Sequence, residues 1–313
     1  MEDAVWHVIR TYAPLVRLHV KECHLPSSPD RFRSSSRFRM SQTGSDRGWD
    51  TARDDWTNGD NHGPQYHNVP WHDVVRESDE MLDDPHAPNA VPTLNVRPRD
   101  KYNRHEAGDI RGLFLELGKA GNRDASGIRP IDERRIMAPV YIDTAIDHDL
   151  GMVRVLYWFF YELNYFHVGI THEGDWEHVS LVFTEDAFRA GRPPGWVYLA
   201  QHNVSELLAF DCLERGADTH IVIYVDRQGH PCCAAVPDRL PYQLTWRTWE
   251  CPLDPVMGAP WHRFAGAWGE IGNIAETTGP LGPYYKRYRD EVKLVRRNGE
   301  LCLKEKRKTV CQR

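Results

Sequence analysis

The segment His172-Glu173-Gly174-Asp175-Trp176-Glu177-His178 concentrates carboxylate and imidazole side chains in seven positions. Read as a strand, it alternates faces: Asp175, Glu177, Val179, Leu181 and Phe183 share one side, and Trp176, His178, Ser180 and Val182 share the other. Two carboxylates therefore stand at the mouth of an otherwise apolar face. Left without a counter-charge there, they would cost several kcal/mol through desolvation and repulsion. A divalent cation offsets that cost with the least protein; an arginine such as Arg154 is the alternative. His172 precedes Asp175 across Gly174, where a turn would fold it back. Two further strand ends deliver imidazoles, at Gln201-His202-Asn203 and Gln228-Gly229-His230. A single histidine is most often an ordinary surface or core residue, and it is their joint placement at strand ends that makes these candidate ligands. His178, His202 and His230 are also candidate proton carriers, because imidazole titrates near neutrality.

The elements that must position these groups are mostly strands. Short runs rich in Val, Ile, Tyr, Trp and Phe predict strands over residues 138–142, 152–161, 176–183, 196–200 and 220–225, separated by turn residues such as Asp149-Leu150-Gly151 and Arg227-Gln228-Gly229. Because no ten-residue helices intervene, the expected pairing is antiparallel, and the expected fold is a mainly β, antiparallel β-sandwich. An earlier strand is expected over 12–20, before Pro26-Ser27-Ser28-Pro29. Residues 35–135, dominated by Asp, Arg, Asn, His, Gly and Pro, read as a long irregular, partly helical elaboration within one domain spanning 1–313; it would act as a lid or a structural wrap. Helices are expected at 109–117, 205–214 and 284–295, the last forming a C-terminal helix.

Composition excludes some partners. A net charge of -6 gives no global attraction to nucleic acid, although residues 281–313 hold eleven Lys or Arg against four Asp or Glu and form a basic C-terminal segment. No apolar run reaches membrane-spanning length. Seven scattered cysteines without a C-x-x-C pair argue against a disulfide framework. Together with an N-terminus that lacks a basic start and a long apolar run, they predict a cytoplasmic protein.

Two family resemblances follow from the motifs. Tyr157-Trp158-Phe159-Phe160-Tyr161-Glu162-Leu163-Asn164 and His172 to His178 resemble the vacuolar protein sorting-associated protein 62 family. Ala13-Pro14-Leu15-Val16-Arg17-Leu18-His19 with Glu22, His220 to Val225, and Phe264-Ala265-Gly266-Ala267-Trp268-Gly269 resemble other segments of that family in the same order. The likeness spans the chain outside 35–135 and brings no secure activity with it. The spacing of His172, Asp175 and Glu177 is also similar to that in the necrosis-inducing cytolysins of plant pathogens. There a Gly-His-Arg-His-Asp-Trp-Glu heptapeptide on a β-sandwich surrounds Mg²⁺ or Ca²⁺. That resemblance implies metal ligation by His172, Asp175 and Glu177, with His202 and His230 completing the site. Asn164 stands where those proteins carry an acidic ligand. In that arrangement some histidines reach the ion only through water, so Mg²⁺ or Ca²⁺ is expected, with Mn²⁺, Fe²⁺ or Zn²⁺ following if several imidazoles bind directly.

Two functional readings result. The first is an intracellular metal-dependent enzyme carrying out hydrolysis, elimination or cyclisation of a small or lipid-like molecule. In it His178, His202 or His230 would move protons, and Tyr157, Trp158, Tyr161 and Trp176 would shape the substrate pocket. The second is a protein that binds a sugar or lipid head group through the ion, or acts on membranes as the cytolysin resemblance implies. A purely structural metal is the third alternative.

Overall fold

The computed structural model describes residues 2–41, 66–68, 113–117, 126–132, 134–167, 170–199, 206–237, 241–262, 267–269, 279–283, 293–297, 300–304 and 309–311. These residues are mainly β, arranged as a sandwich of two mixed sheets. One sheet runs Arg215–Ala217, His220–Val225, Leu15–Leu18, Leu244–Arg247 and Arg135–Ile136, with Cys232–Cys233 paired to His220–Val225. The other runs Glu206–Ala209, Trp196–Leu199, Ile170–Thr184, Met152–His167, Val140–Asp147 and Leu253–Pro255. Pairing is not wholly antiparallel: Leu15–Leu18 runs parallel to His220–Val225, and Leu253–Pro255 parallel to Val140–Asp147.

Met152–His167 and Ile170–Thr184 form the central hairpin, in register with Tyr161 opposite Asp175 and Trp158 opposite His178. Both faces of this hairpin are covered, in keeping with the continuous apolar run from Val155 to Tyr161 in its first strand. On the inner face Val155, Tyr157, Phe159 and Leu181 pack against Val16, Ile223 and Trp246 of the facing sheet. On the outer face Trp158, Phe160 and Trp176 pack against Phe32, Leu115, Trp261 and Trp268. The alternation expected for residues 175–183 is present, since Val179, Leu181 and Phe183 lie in the inner core and Trp176 and Val182 on the opposite side. Arg154 lies across from Val182, on the outer side and seven positions along the strand from Asp175, so it does not supply the counter-charge considered for the two carboxylates.

Two expected helices are replaced, and most of a third lies outside the described residues. Residues 113–117 of the 109–117 segment form the strand Leu113–Leu117, paired to Ser36–Ser41, with Leu115 and Leu117 buried at a spacing of two. In a run this short, apolar positions three and four apart do not separate helix from strand, and pairing decides. The 205–214 segment becomes Glu206–Ala209, an edge strand on Trp196–Leu199, followed by a 3-10 turn at Phe210–Cys212. Of the expected C-terminal helix, residues 284–292 lie outside the described residues, and Lys293–Arg297 is a strand in a three-stranded antiparallel sheet with Glu300–Lys304 and Thr309–Cys311. A helix the sequence reading missed, Glu2–Tyr12, buries Val8, Ile9 and Tyr12, and only Leu15–Leu18 of the expected 12–20 strand forms. Of the 35–135 elaboration, Ser36–Ser41, Tyr66–Asn68 and Leu113–Leu117 form a small sheet with Ala267–Trp268; 69–112 lies outside the described residues. Among the described residues no helix is long and apolar enough to cross a membrane.

The loop after Leu15–Leu18 is fastened to the end of the hairpin. Ser27 donates its backbone N–H to the Phe160 carbonyl at 2.8 Å, and its hydroxyl donates to the Glu162 carboxylate at 2.5 Å. Arg31, in the helix Pro29–Ser35, forms an ion pair with the same carboxylate. Glu162 is almost fully buried, so its removal would strand one partner of a charged cluster. Glu162→Ala is expected to cost about 3 kcal/mol in urea unfolding; a loss below about 0.5 kcal/mol, as for an exposed pair, would contradict this role.

Candidate functional site

The site forms where alternation breaks at the end of the hairpin. Tyr161 belongs to the inner core while Leu163, two residues on, packs with the outer cluster. On the partner strand, Glu173 accepts the Leu117 N–H at 2.9 Å on the outer side, whereas Asp175 faces inward. Both strands therefore reverse their facing between these positions, around Glu162 and Gly174. Gly174 makes this feasible with φ of 61°, a left-handed conformation that side-chain-bearing residues rarely adopt. The reversal brings Asn164, and His172 opposite it, to the side of Asp175.

Asp175 is the hub. Its Oδ2 accepts from Asn164 Nδ2 at 3.0 Å and contacts His230 Nδ1 at 3.1 Å, while Asn164 Nδ2 also reaches the Gly229 carbonyl at 3.1 Å. His230 is fully buried and stacks on the Tyr161 ring, with centroids 3.8 Å apart and planes within 3°. Its other nitrogen lies 3.9 Å from Glu22 Oε1. Glu22 is itself fixed by backbone donors: Cys23 and His24 N–H to Oε1 at 2.9 and 2.8 Å, and Gln228 N–H to Oε2 at 2.8 Å. The turn that delivers His230 is strained, with both Gln228 (φ 69°) and His230 (φ 58°) left-handed. Such conformations cost on the order of 1 kcal/mol each and persist where surrounding contacts over-determine them.

Charge explains the arrangement. Burial disfavours a charged His230, but Asp175 and Glu22 outweigh it and raise the imidazole to about 9. Burial likewise pushes Glu22 up, but His230 and the backbone donors of Gln228 and His24 pull it down to about 2. The counter-charge that the sequence requires near Asp175 is thus a protonated histidine in the protein as it stands. A group raised on folding stabilises fully below its unfolded value, and one lowered stabilises fully above it. With unfolded values of 6.5 for His230 and 4.5 for Glu22, the contribution of these two groups is complete between those pH values. It declines as pH rises from 6.5 through about 9 and as it falls from 4.5 through about 2. In chelator, the stability difference between the wild type and His230→Ala is expected to follow this profile in urea unfolding; a difference independent of pH would contradict it.

The sequence-predicted residues divide into groups. Asp175, Asn164 and His230 meet directly. Glu177, partly exposed, is near enough that its charge raises both the Tyr161 phenol and the Cys232 thiol, after burial and, for Tyr161, after Cys232, Asp175 and Glu22. His172 is buried, and its Nδ1 contacts the Gly174 carbonyl at 2.8 Å. His178 is on the outer face, against Trp158 at 4.4 Å between centroids, with the sheet separating it from Asp175. His202 lies outside the described residues. The four aromatic residues expected to shape one pocket are split by the sheet: Tyr157 and Tyr161 are inward, Trp158 and Trp176 outward. Tyr157 also spends its hydroxyl on the Ile9 carbonyl at 2.7 Å. Glu22 was not singled out as a site residue from sequence; its one local signal is a carboxylate just after a strand end and before a proline-rich turn.

In kind, the donors suit a hard cation: carboxylates, an amide and the Tyr161 hydroxyl, which is buried and makes no hydrogen bond among the described residues. In arrangement they do not form a ready cage, because among the described residues no three His, Cys, Asp or Glu side chains converge to hold a metal.

No protein-family model matches the chain, and no curated protein sequence does, so the resemblance to the vacuolar protein sorting-associated protein 62 family finds no support there. Solved structures similar to it are of the necrosis- and ethylene-inducing toxin fold. NLPPya in complex with glucosamine is 16% identical with a TM-score of 0.28, over 37% of this chain and 50% of that one, so the chain spans half of its length. Necrosis and Ethylene inducing Protein 2, from the causal agent of cocoa's witches' broom disease, is 14% identical with a TM-score of 0.32, over 88% and 96%. The non-toxic HaNLP3 protein is 10% identical with a TM-score of 0.38, over 87% and 85%.

Proposed function

We propose that this chain is a binding protein whose Asp175 centre takes a polar head group, of a sugar or a lipid, with Mg²⁺ or Ca²⁺ as the bridging ion. The observation that carries this reading over catalysis is the fixing of His230 between Asp175 and Glu22. A general base must reach the proton it takes, and an imidazole fully buried, stacked on Tyr161 and held between two carboxylates is fixed in place instead. His178, the other described candidate for proton transfer, stands on the far side of the sheet. Asp175 and Glu177 would hold the ion, with Asn164 and His172 beside them. A bound divalent cation would supply a hard acid toward which hydroxyl and phosphate oxygens turn. Glu177 is the partly exposed member and the point of first contact for a soluble ligand.

The reading is tested by melting the chelator-treated protein with Ca²⁺, Mg²⁺, glucosamine and phosphocholine, singly and in ion-plus-ligand pairs. A ligand that binds only the folded state raises the melting temperature with its concentration. The expected result is a rise with the ion that grows further when glucosamine or phosphocholine is added. Rises with neither ion nor pair would remove the proposal.

A further inference from the structure

The chain has seven cysteines. Cys23, Cys212, Cys232, Cys233 and Cys251 are free thiols, whereas Cys302 is disulfide-bonded. The backbone register sets Cys302 directly opposite Cys311 on the adjacent antiparallel strands Glu300–Lys304 and Thr309–Cys311. Directly opposed residues in such a pair have Cα atoms about 4.5–5.5 Å apart, within the span a disulfide bridges. We propose that Cys302 and Cys311 form a structural disulfide that staples the last strand to the C-terminal sheet, and that the protein matures in an oxidising compartment.

The sheet needs such a staple. Its three short strands carry many basic residues, and among its described side chains Leu294, Leu301 and Cys302 are the buried ones. The two leucines pack against Met152, Val182, Tyr198 and Leu207 on the outer face of the sandwich. A small sheet with so little apolar contact is marginal unless cross-linked. Cys302 is itself fully buried, which shields the bond from exchange and makes it a fastening and not a labile switch. In its formation each thiol gives up a proton and the pair gives two electrons to a small disulfide such as glutathione disulfide, which leaves as two thiols. The cysteine count alone predicts a reducing cytosol; a bond at this register points to the secretory side of a membrane or outside the cell.

The test uses the full chain, equilibrated in a glutathione buffer poised as in the secretory pathway, acid-quenched, alkylated and mapped by mass spectrometry. The expected map shows a Cys302–Cys311 linked peptide and alkylated thiols at the other five positions. Full alkylation of both residues, or a link from either to another cysteine, would overturn the proposal. Stability gives a second, independent readout. Cys302→Ser and Cys311→Ser should each lower the melting temperature by roughly 4–8 °C, the double variant no further. Thiol reductant should bring the wild type to the same value, while Cys212→Ser changes nothing. Additive effects of the two serine variants would show that the residues act separately.

Discussion

Gly174→Ala is expected to lower unfolding stability by about 4 kcal/mol. Two causes combine. The left-handed φ of 61° at Gly174 is costly for any residue with a Cβ. More important, a Cβ there would fall on the backbone carbonyl of Trp268, an atom that cannot swing aside as a side-chain tip can. The approach is reciprocal, since a Cβ on Gly269 (φ 126°) would fall on the Glu173 carbonyl. Either substitution must push 267–269 off the hairpin and disturb the packing of Trp268 on Phe160 and Trp176. It would also undo the reversal that places Asn164 and His172 beside Asp175. Gly151→Ala, in a turn where a Cβ meets no neighbour, shares the positive φ alone and is the control. It should cost about 1 kcal/mol. Equal costs at the two positions, measured by urea unfolding, would mean that the close approach to Trp268 contributes nothing.

His230→Ala is expected to cost about 3–5 kcal/mol at neutral pH in chelator, because it leaves Asp175 and Glu22 as buried carboxylates without the charge between them. The stacking contact with Tyr161 is lost as well. Adding Asp175→Asn should recover part of that loss, since an amide needs no counter-charge, and the double-mutant cycle measures the coupling. Under the proposed function, Ca²⁺ should also restore more stability to His230→Ala than it adds to the wild type, because the ion takes over the role of the imidazolium. Independent, additive effects of His230→Ala and Asp175→Asn would separate the two residues energetically and contradict the clamp.

The central hairpin was legible from sequence because its face pattern is strict. The alternation from Trp176 to Phe183 survives in the structure, as does the strand His220–Val225 with the bounds expected of it. Asp175 was legible for the same reason, since charge at the mouth of an apolar face demands compensation; His230 was legible only as an imidazole at a strand end, expected there as a metal ligand, and the structure brings the two into contact. What could not be read was the identity of the counter-charge, which depends on contacts between segments far apart in sequence. Glu22 reaches the site because Ser27 docks on Phe160, and His230 because Gln228 and His230 are left-handed; neither leaves a periodic signal. His178 was grouped with the site although strict alternation already places it on the other face from Asp175. The helix Glu2–Tyr12 has a legible stripe, with Val5, Val8, Ile9 and Tyr12 all facing the core, that the strand-rich setting masked. Segments 113–117 and 206–209 were too short for period alone to tell helix from strand, and partners settled them.

The most direct measurement is calorimetric titration of Ca²⁺ and Mg²⁺, followed by glucosamine or phosphocholine, into the chelator-treated wild type and into Asp175→Asn, with the variant's fold checked by circular dichroism. Saturable ion binding in the wild type, tightened ligand binding once the ion is present, and the absence of both in the folded variant are the predicted results. Saturable binding of equal strength in Asp175→Asn, or no binding of either ion to the wild type, would contradict an ion-bridged head-group site at the end of this hairpin.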